Sequence, residues 1–171
     1  MSHVTLSGAE VDINGSFLKL ENLAPNFILV DRELNTVTLE SFKDRKKVLA
    51  ILPSIDTPVC SKETMTLNKL AEAHPNVVVL VISKDLPFAH DRFCKSEGVE
   101  NIVLLSDVRP NSCFAKDFGV QIGSGPLEGL LARAVVVLNE QDRVIYSNLS
   151  QEITEMPNLE EAFQALDDLD S

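Results

Sequence analysis

Three stretches of the chain are apolar at every position: Val48–Leu52, Val77–Ile82 and Ala134–Leu138. A strand with one face in water alternates, so runs with no polar position read as strands buried on both faces. Between and after them the apolar positions spread to helical spacing. Pro58–Ala73, Leu86–Glu97 and the closing Leu159–Leu169 are expected to be helices, the second with Asp85 as N-cap and Gly98 as stop. Ile102–Leu105 reads as a short strand. Cys113–Phe118 reads as a short helix closed by Gly119, packing Cys113 and Phe114 inward. Arg143–Ser147 follows a turn at 139–142 and is expected to pair back on Ala134–Leu138. Upstream, Val4–Leu6 and Val11–Ile13 suggest a hairpin around Gly8, with another turn at Asn14-Gly15. Phe27–Val30 and Thr36–Leu39 are two further strand candidates.

Strands buried on both faces need helices to cover them. The alternation, ending in a hairpin and a helix, therefore points to an α/β fold of the thioredoxin type. It would have a central mixed sheet flanked by helices and an N-terminal β-hairpin. The 171 residues contain no repeat and no linker, so residues 1–171 are expected to form a single domain with its own core. The net charge of −11, with 15 basic residues spread along the chain, excludes nucleic acid as a partner and favours a basic protein surface. No apolar run is long enough for a membrane span, and the N-terminus lacks the pattern of a secretory signal. A cytoplasmic location is expected. Three cysteines at irregular spacing are not a disulfide framework; in a reducing compartment they are fillers, metal ligands or redox groups. Neither His74 nor His90 has a companion at ligand spacing, and no C-x-x-C or H-x-x-x-H pattern occurs, so no metal site is expected.

Cys60 is the position that demands an explanation. It follows the first apolar run, in "PSIDTPVC", where the next helix begins. With Thr57 as N-cap, Pro58 takes N1, where its missing N–H costs nothing, and Cys60 takes N3. A capping box places a carboxylate there, facing free N–H groups and the positive end of the helix dipole. A thiol in that place is favoured as its thiolate. Ionisation alone explains little: a free thiol is a few per cent ionised at neutral pH, so completing it raises the thiolate population roughly 30-fold at most. A large rate enhancement needs groups that orient a substrate and stabilise charge. Thr57 supplies a hydroxyl on the same face, and Pro53 and Pro58 bracket the loop. The cation candidate is Arg133, at the mouth of the otherwise uncharged run Ala134–Leu138. The alternative for Arg133 is an ion pair with an acidic residue.

Pro53, Thr57 and Cys60 form the P-x-x-x-T-x-x-C signature of peroxiredoxins. With "RFC" at Arg92–Cys94 and "GPLEGLLARAVVVL" at Gly125–Leu138, nearly the whole chain resembles the thiol peroxidase subfamily of atypical two-cysteine peroxiredoxins. The resemblance implies a thiol-dependent peroxidase. Cys60 would be the peroxidatic cysteine, and Thr57 and Arg133 would hold the thiolate and the peroxide oxygens. Pro53 would wall the pocket. Cys94, which pattern alone reads as a buried filler, would resolve the sulfenic acid to a Cys60–Cys94 disulfide. Thioredoxin would be the reductant, hydrogen peroxide and organic hydroperoxides the substrates, and a homodimer the assembly. No cofactor is implied. The segment Gly123–Leu131 is expected to contribute to the substrate surface, and both helix ends must unravel for the disulfide to form.

Two other readings compete. A redox sensor would share the reactive Cys60 but stop after one equivalent of peroxide. A dithiol oxidoreductase is disfavoured, because Glu63 stands where a C-x-x-C motif needs its second cysteine.

Overall fold

The computed structural model describes residues 2–169. The fully apolar runs form the middle of a seven-stranded sheet. Here β5 (Lys46–Ile51), β6 (Val77–Ser83) and β7 (Val103–Ser106) run parallel, and β9 (Ala134–Leu138) lies antiparallel beside β5. Outside them stand β10 (Val144–Leu149), which closes the expected hairpin with β9, and the two-residue strands β3 (Leu29–Val30) and β4 (Thr36–Val37). The N-terminal hairpin pairs β1 (Ser2–Leu6) with β2 (Ala9–Asn14), and β8 (Gln121–Ile122) joins it as a third strand.

The pleat sends alternate residues of each buried strand to opposite faces, which gives the sheet two cores. Leu49, Ile51, Leu80, Ile82 and Val136 face the small sheet and the short helix α3 (Phe114–Asp117). Val48, Ala50, Leu52, Val79, Val81 and Val135 face the other way, toward α1 (Pro58–Ala73), α2 (Pro87–Glu97) and α4 (Leu159–Leu169). Cys60 and Cys94 both belong to this second core. The expected mixed sheet with its N-terminal hairpin is therefore present, and α1, β9 and α4 begin and end as their patterns indicate.

Four local expectations need correction. Asp85 does not cap α2. Leu86 holds the N-cap position without a side-chain bond, and Asp85 turns its carboxylate toward the loop before α1. Cys113 is exposed, not packed inward. In a helix this short, one face holds Phe114 and Phe118, which pack against Phe27, and Cys113 precedes that face. The Thr36–Leu39 strand stops at Val37, because Leu39–Phe42 winds into a 3-10 turn. The Phe27–Val30 strand shrinks to its last two residues. Gly119 closes α3 as expected, with φ +65° and the backbone of Ser16 and Phe17 so near that no Cβ would fit. The acidic end of the sequence, "LDDLDS", is expected to fray because its charges oppose the helix dipole; its last two residues, Asp170 and Ser171, lie outside the described residues. Among the described residues, no helix is long and apolar enough to cross a membrane.

Candidate active site

α1 begins where β5 ends, after a loop over residues 53–57. Thr57 is its N-cap in extended conformation, Pro58 sits at N1, and Thr57 Oγ1 accepts a hydrogen bond from Cys60 N–H at 3.3 Å. The same hydroxyl donates to Ser54 O at 3.3 Å. This places Cys60 in the first helical turn, with no exposed surface.

Arg133 reaches this sulfur from the start of β9. Its side chain is 2% exposed, and all three guanidinium nitrogens are engaged. Nη2 donates to Cys60 Sγ at 3.1 Å, Nη1 to Glu63 Oε1 at 3.1 Å, and Nε to Ile153 O at 2.7 Å. The two readings of Arg133 left open by its position in the sequence are thus both present. It is an ion pair and it is the cation at the thiol. Arginine suits the task, since its rigid fork fixes two partners at once.

Glu63 went unassigned in the sequence, although it stands one turn beyond Cys60 on the same face. That spacing was the available signal. Its carboxyl is fully buried, and Oε2 finds no hydrogen-bond partner among the described residues. Burial pushes its pKa up, and the Arg133 charge opposes this only in part.

A cavity of about 220 Å³ opens beside the guanidinium, lined by Pro53, Thr57, Pro58, Leu127 and Ile153 among others. Pro53 is buried and forms part of its wall, and Leu127 brings in the segment 123–131. Arg133 and Thr57 are among the lining residues, but the surface facing the cavity is apolar, which suits the apolar body of a small molecule. Cys60, with no exposed surface, lies behind this lining and is not part of it, and larger hollows of about 370 and 630 Å³ lie elsewhere.

Cys94 lies toward the end of α2, 3% exposed, and both it and Cys60 are free thiols. Burial pushes the Cys94 thiol pKa up; the charge of Arg32 counters this and that of Asp91 reinforces it. His74 ends α1 against Phe163, and His90 is buried behind the site. The one grouping of metal-type donors among the described residues is His3, Glu10 and Asp12 on the hairpin, where His3 already contacts both carboxylates.

A thiol at a helix N-terminus, on a mixed sheet and beside a buried arginine, defines a thioredoxin-like peroxiredoxin. The redoxin family model matches residues 19–166. A thiol peroxidase from Staphylococcus epidermidis is 39% identical over 165 residues, covering 96% of this chain and 98% of the relative. One from Mycobacterium bovis is 40% identical over 166 residues, covering 97% and 99%. The crystal structure of a peroxiredoxin-like protein from Aquifex aeolicus superposes with a TM-score of 0.92 at 38% identity, covering 98% of this chain and 96% of that one. The chain belongs to the thiol peroxidases of the redoxin family, and is a peroxiredoxin-type oxidoreductase.

Proposed function

We propose that the chain reduces hydrogen peroxide and organic hydroperoxides through Cys60 and Cys94, with thioredoxin as the electron donor. The observation that carries this reading is the 3.1 Å contact from the buried Arg133 guanidinium to Cys60 Sγ. Charge-assisted donors are strong in a dry site. The peroxide enters beside Pro53 with its O–O bond in line with Sγ. The Cys60 thiolate attacks the terminal oxygen, the O–O bond breaks, and the alkoxide or hydroxide leaves with a proton. Arg133 and Thr57 hold the two oxygens as charge passes between them. The product is a Cys60 sulfenic acid.

Cys94 then attacks the Cys60 sulfur. One water leaves and the intrachain disulfide forms. A dithiol of the thioredoxin class reduces it and is itself oxidised. The apolar wall around Leu127 favours hydroperoxides with an organic body. The exposed Leu86 and Phe88 at the start of α2 offer an apolar surface for a second copy, in keeping with a homodimer. The free thiols fit a cytoplasmic setting.

The test is NADPH consumption with thioredoxin, thioredoxin reductase and cumene hydroperoxide. Sustained turnover should vanish in Cys60→Ser and Cys94→Ser and persist in Cys113→Ser. A single equivalent consumed by the wild type would favour a sensor instead. Loss in Cys113→Ser but not in Cys94→Ser would reassign the resolving role.

A further inference from the structure

The loop that carries Pro53 and Thr57 is tied down from below by one carboxylate. Asp85 Oδ1 accepts from Ser54 Oγ at 2.7 Å, and Oδ2 accepts from Ile55 N–H at 2.8 Å and Ser83 Oγ at 2.6 Å. Ser83 has a single proton. Given to Asp85, it leaves Ser83 Oγ as the acceptor toward His90 Nε2, 2.9 Å away, so the hydrogen-bond network puts the His90 proton on Nε2. His90 is fully buried, and its Nδ1 has no partner among the described residues. It lies on α2 one turn before Cys94, on the same inward face.

The network therefore runs from the Cys60 loop, through Asp85 and Ser83, to the helix that carries Cys94. Neither α2 nor the loop uses it as a helix cap. Ordering a loop by two short bonds to one carboxylate at its base is what preorganised chemistry requires, since small misplacements of a reacting group cost large factors in rate. At the other end of the network, the Ser83–His90 bond ties α2 to the end of β6. A disulfide needs Cα atoms within about 7 Å, and Cys60 and Cys94 start in the first turn of one helix and the late turns of another.

We infer that Asp85 is a positioning residue with opposite effects on the two half-reactions: it holds the Cys60 loop in the geometry that reacts with peroxide, and through Ser83 and His90 it restrains the Cys94 helix. The inference rests on the proposed roles of Cys60 and Cys94. In the first half-reaction the thiolate, a hydroperoxide and a proton give sulfenic acid and an alcohol. In the second, sulfenic acid and the Cys94 thiol give disulfide and water.

The two steps are measured separately. In a Cys94→Ser background, sulfenic acid is trapped with dimedone and quantified by mass spectrometry after rapid mixing with cumene hydroperoxide. Asp85→Asn keeps the shape but loses acceptors on one side, and is expected to slow this step about tenfold. With both cysteines present, rapid acid quench follows disulfide formation, and Asp85→Asn is expected to speed it severalfold. His90→Leu should speed the second step alone, and His90→Gln, which retains a donor toward Ser83, should restore the wild-type rate. Ser54→Ala removes one of the bonds to Asp85, together with the turn bond from Asp56 N–H, and should move both rates in the same directions by less if Asp85→Asn fails to fold.

Parallel slowing of both steps, the signature of general destabilisation, would overturn the inference, and so would no change in either. A wild-type protein that accumulates sulfenic acid and never forms the Cys60–Cys94 disulfide would instead overturn the resolving role of Cys94. The dimedone arm would still decide what Asp85 does for Cys60.

Discussion

Cys60 and Glu63, one helical turn apart on α1, are bound by different nitrogens of a single guanidinium. The thiol sits at the helix start and the carboxyl lies deeper, so Arg133 is pinned from behind while it holds the sulfur in front. Burial raises the Glu63 pKa from 4.5 to about 7. A group raised in this way contributes stability that is fully present below its unfolded value and is lost as pH rises through its folded value. The protein should thus lose stability from about pH 4.5 to above about pH 7 on this account. Glu63→Gln keeps an acceptor for Nη1 and removes the titration. Urea melts across this window should slope downward for the wild type and run flatter for the variant.

Arg133→Met should damage both chemistry and stability. Removing one member of a buried pair costs about 3 kcal/mol, with proton uptake by Glu63 as the relief. The rate of Cys60 oxidation should fall by about a hundredfold. A double variant with Glu63→Gln should recover stability but not rate, as read by denaturant midpoints and stopped-flow peroxide reduction.

Thr57→Val retains size and removes the hydroxyl. The cap on Cys60 N–H is lost, at a cost of about 1 kcal/mol, and the peroxide loses a partner. Thr57→Ser should keep most of both. Thermal melting and single-turnover rates, measured side by side, separate the cap from the chemistry.

Acid should loosen two junctions together. Burial works to raise the Asp85 carboxyl, but the hydrogen bonds from Ser83, Ile55 N–H and Ser54, with the His90 ring 3.8 Å away, bring it down to about 2, and backbone donors at Thr154 and Gly8 hold Glu152 at about 2. Carboxyls depressed in this way contribute stability that is present above the unfolded value, near 3.8 for Asp85, and is lost as pH falls through about 2. Circular dichroism during acid titration should show the wild type unfolding in this window. Asp85→Asn should start less stable and respond less steeply, with the remaining slope owed in part to Glu152.

Cys113 is the exposed thiol, while Cys60 and Cys94 are buried. A bulky aromatic disulfide reagent should therefore titrate one thiol rapidly in the native protein and three after denaturation. Cys113→Ser should abolish the rapid phase and leave peroxide turnover intact.

Much of the site was legible because its elements are local. The uninterrupted apolar runs mark β5, β6 and β9, and Thr57-Pro58 announces the start of α1 in a way that puts Cys60 at N3. Arg133 stood out as a charge beside an uncharged strand. Glu63 did not, because its meaning depends on a partner 70 residues away. Asp85 was misread for a related reason. An aspartate just before a helix is a good cap by local rules, but here donors from Ser54 and Ile55 across the fold claim the carboxylate. The misplaced Cys113 and the unnoticed β8 show the limit of short elements. Two or four residues hold too little period to say which side faces in.

The bond from Arg133 to Cys60 spans 73 positions of the chain. During translation, Cys60 is therefore made well before the residue that holds its sulfur. An unfinished polypeptide carries an ordinary cysteine, with no guanidinium and no β9 for β5 to pair with. The guanidinium–thiol contact comes into being only when the last third of the chain closes the sheet.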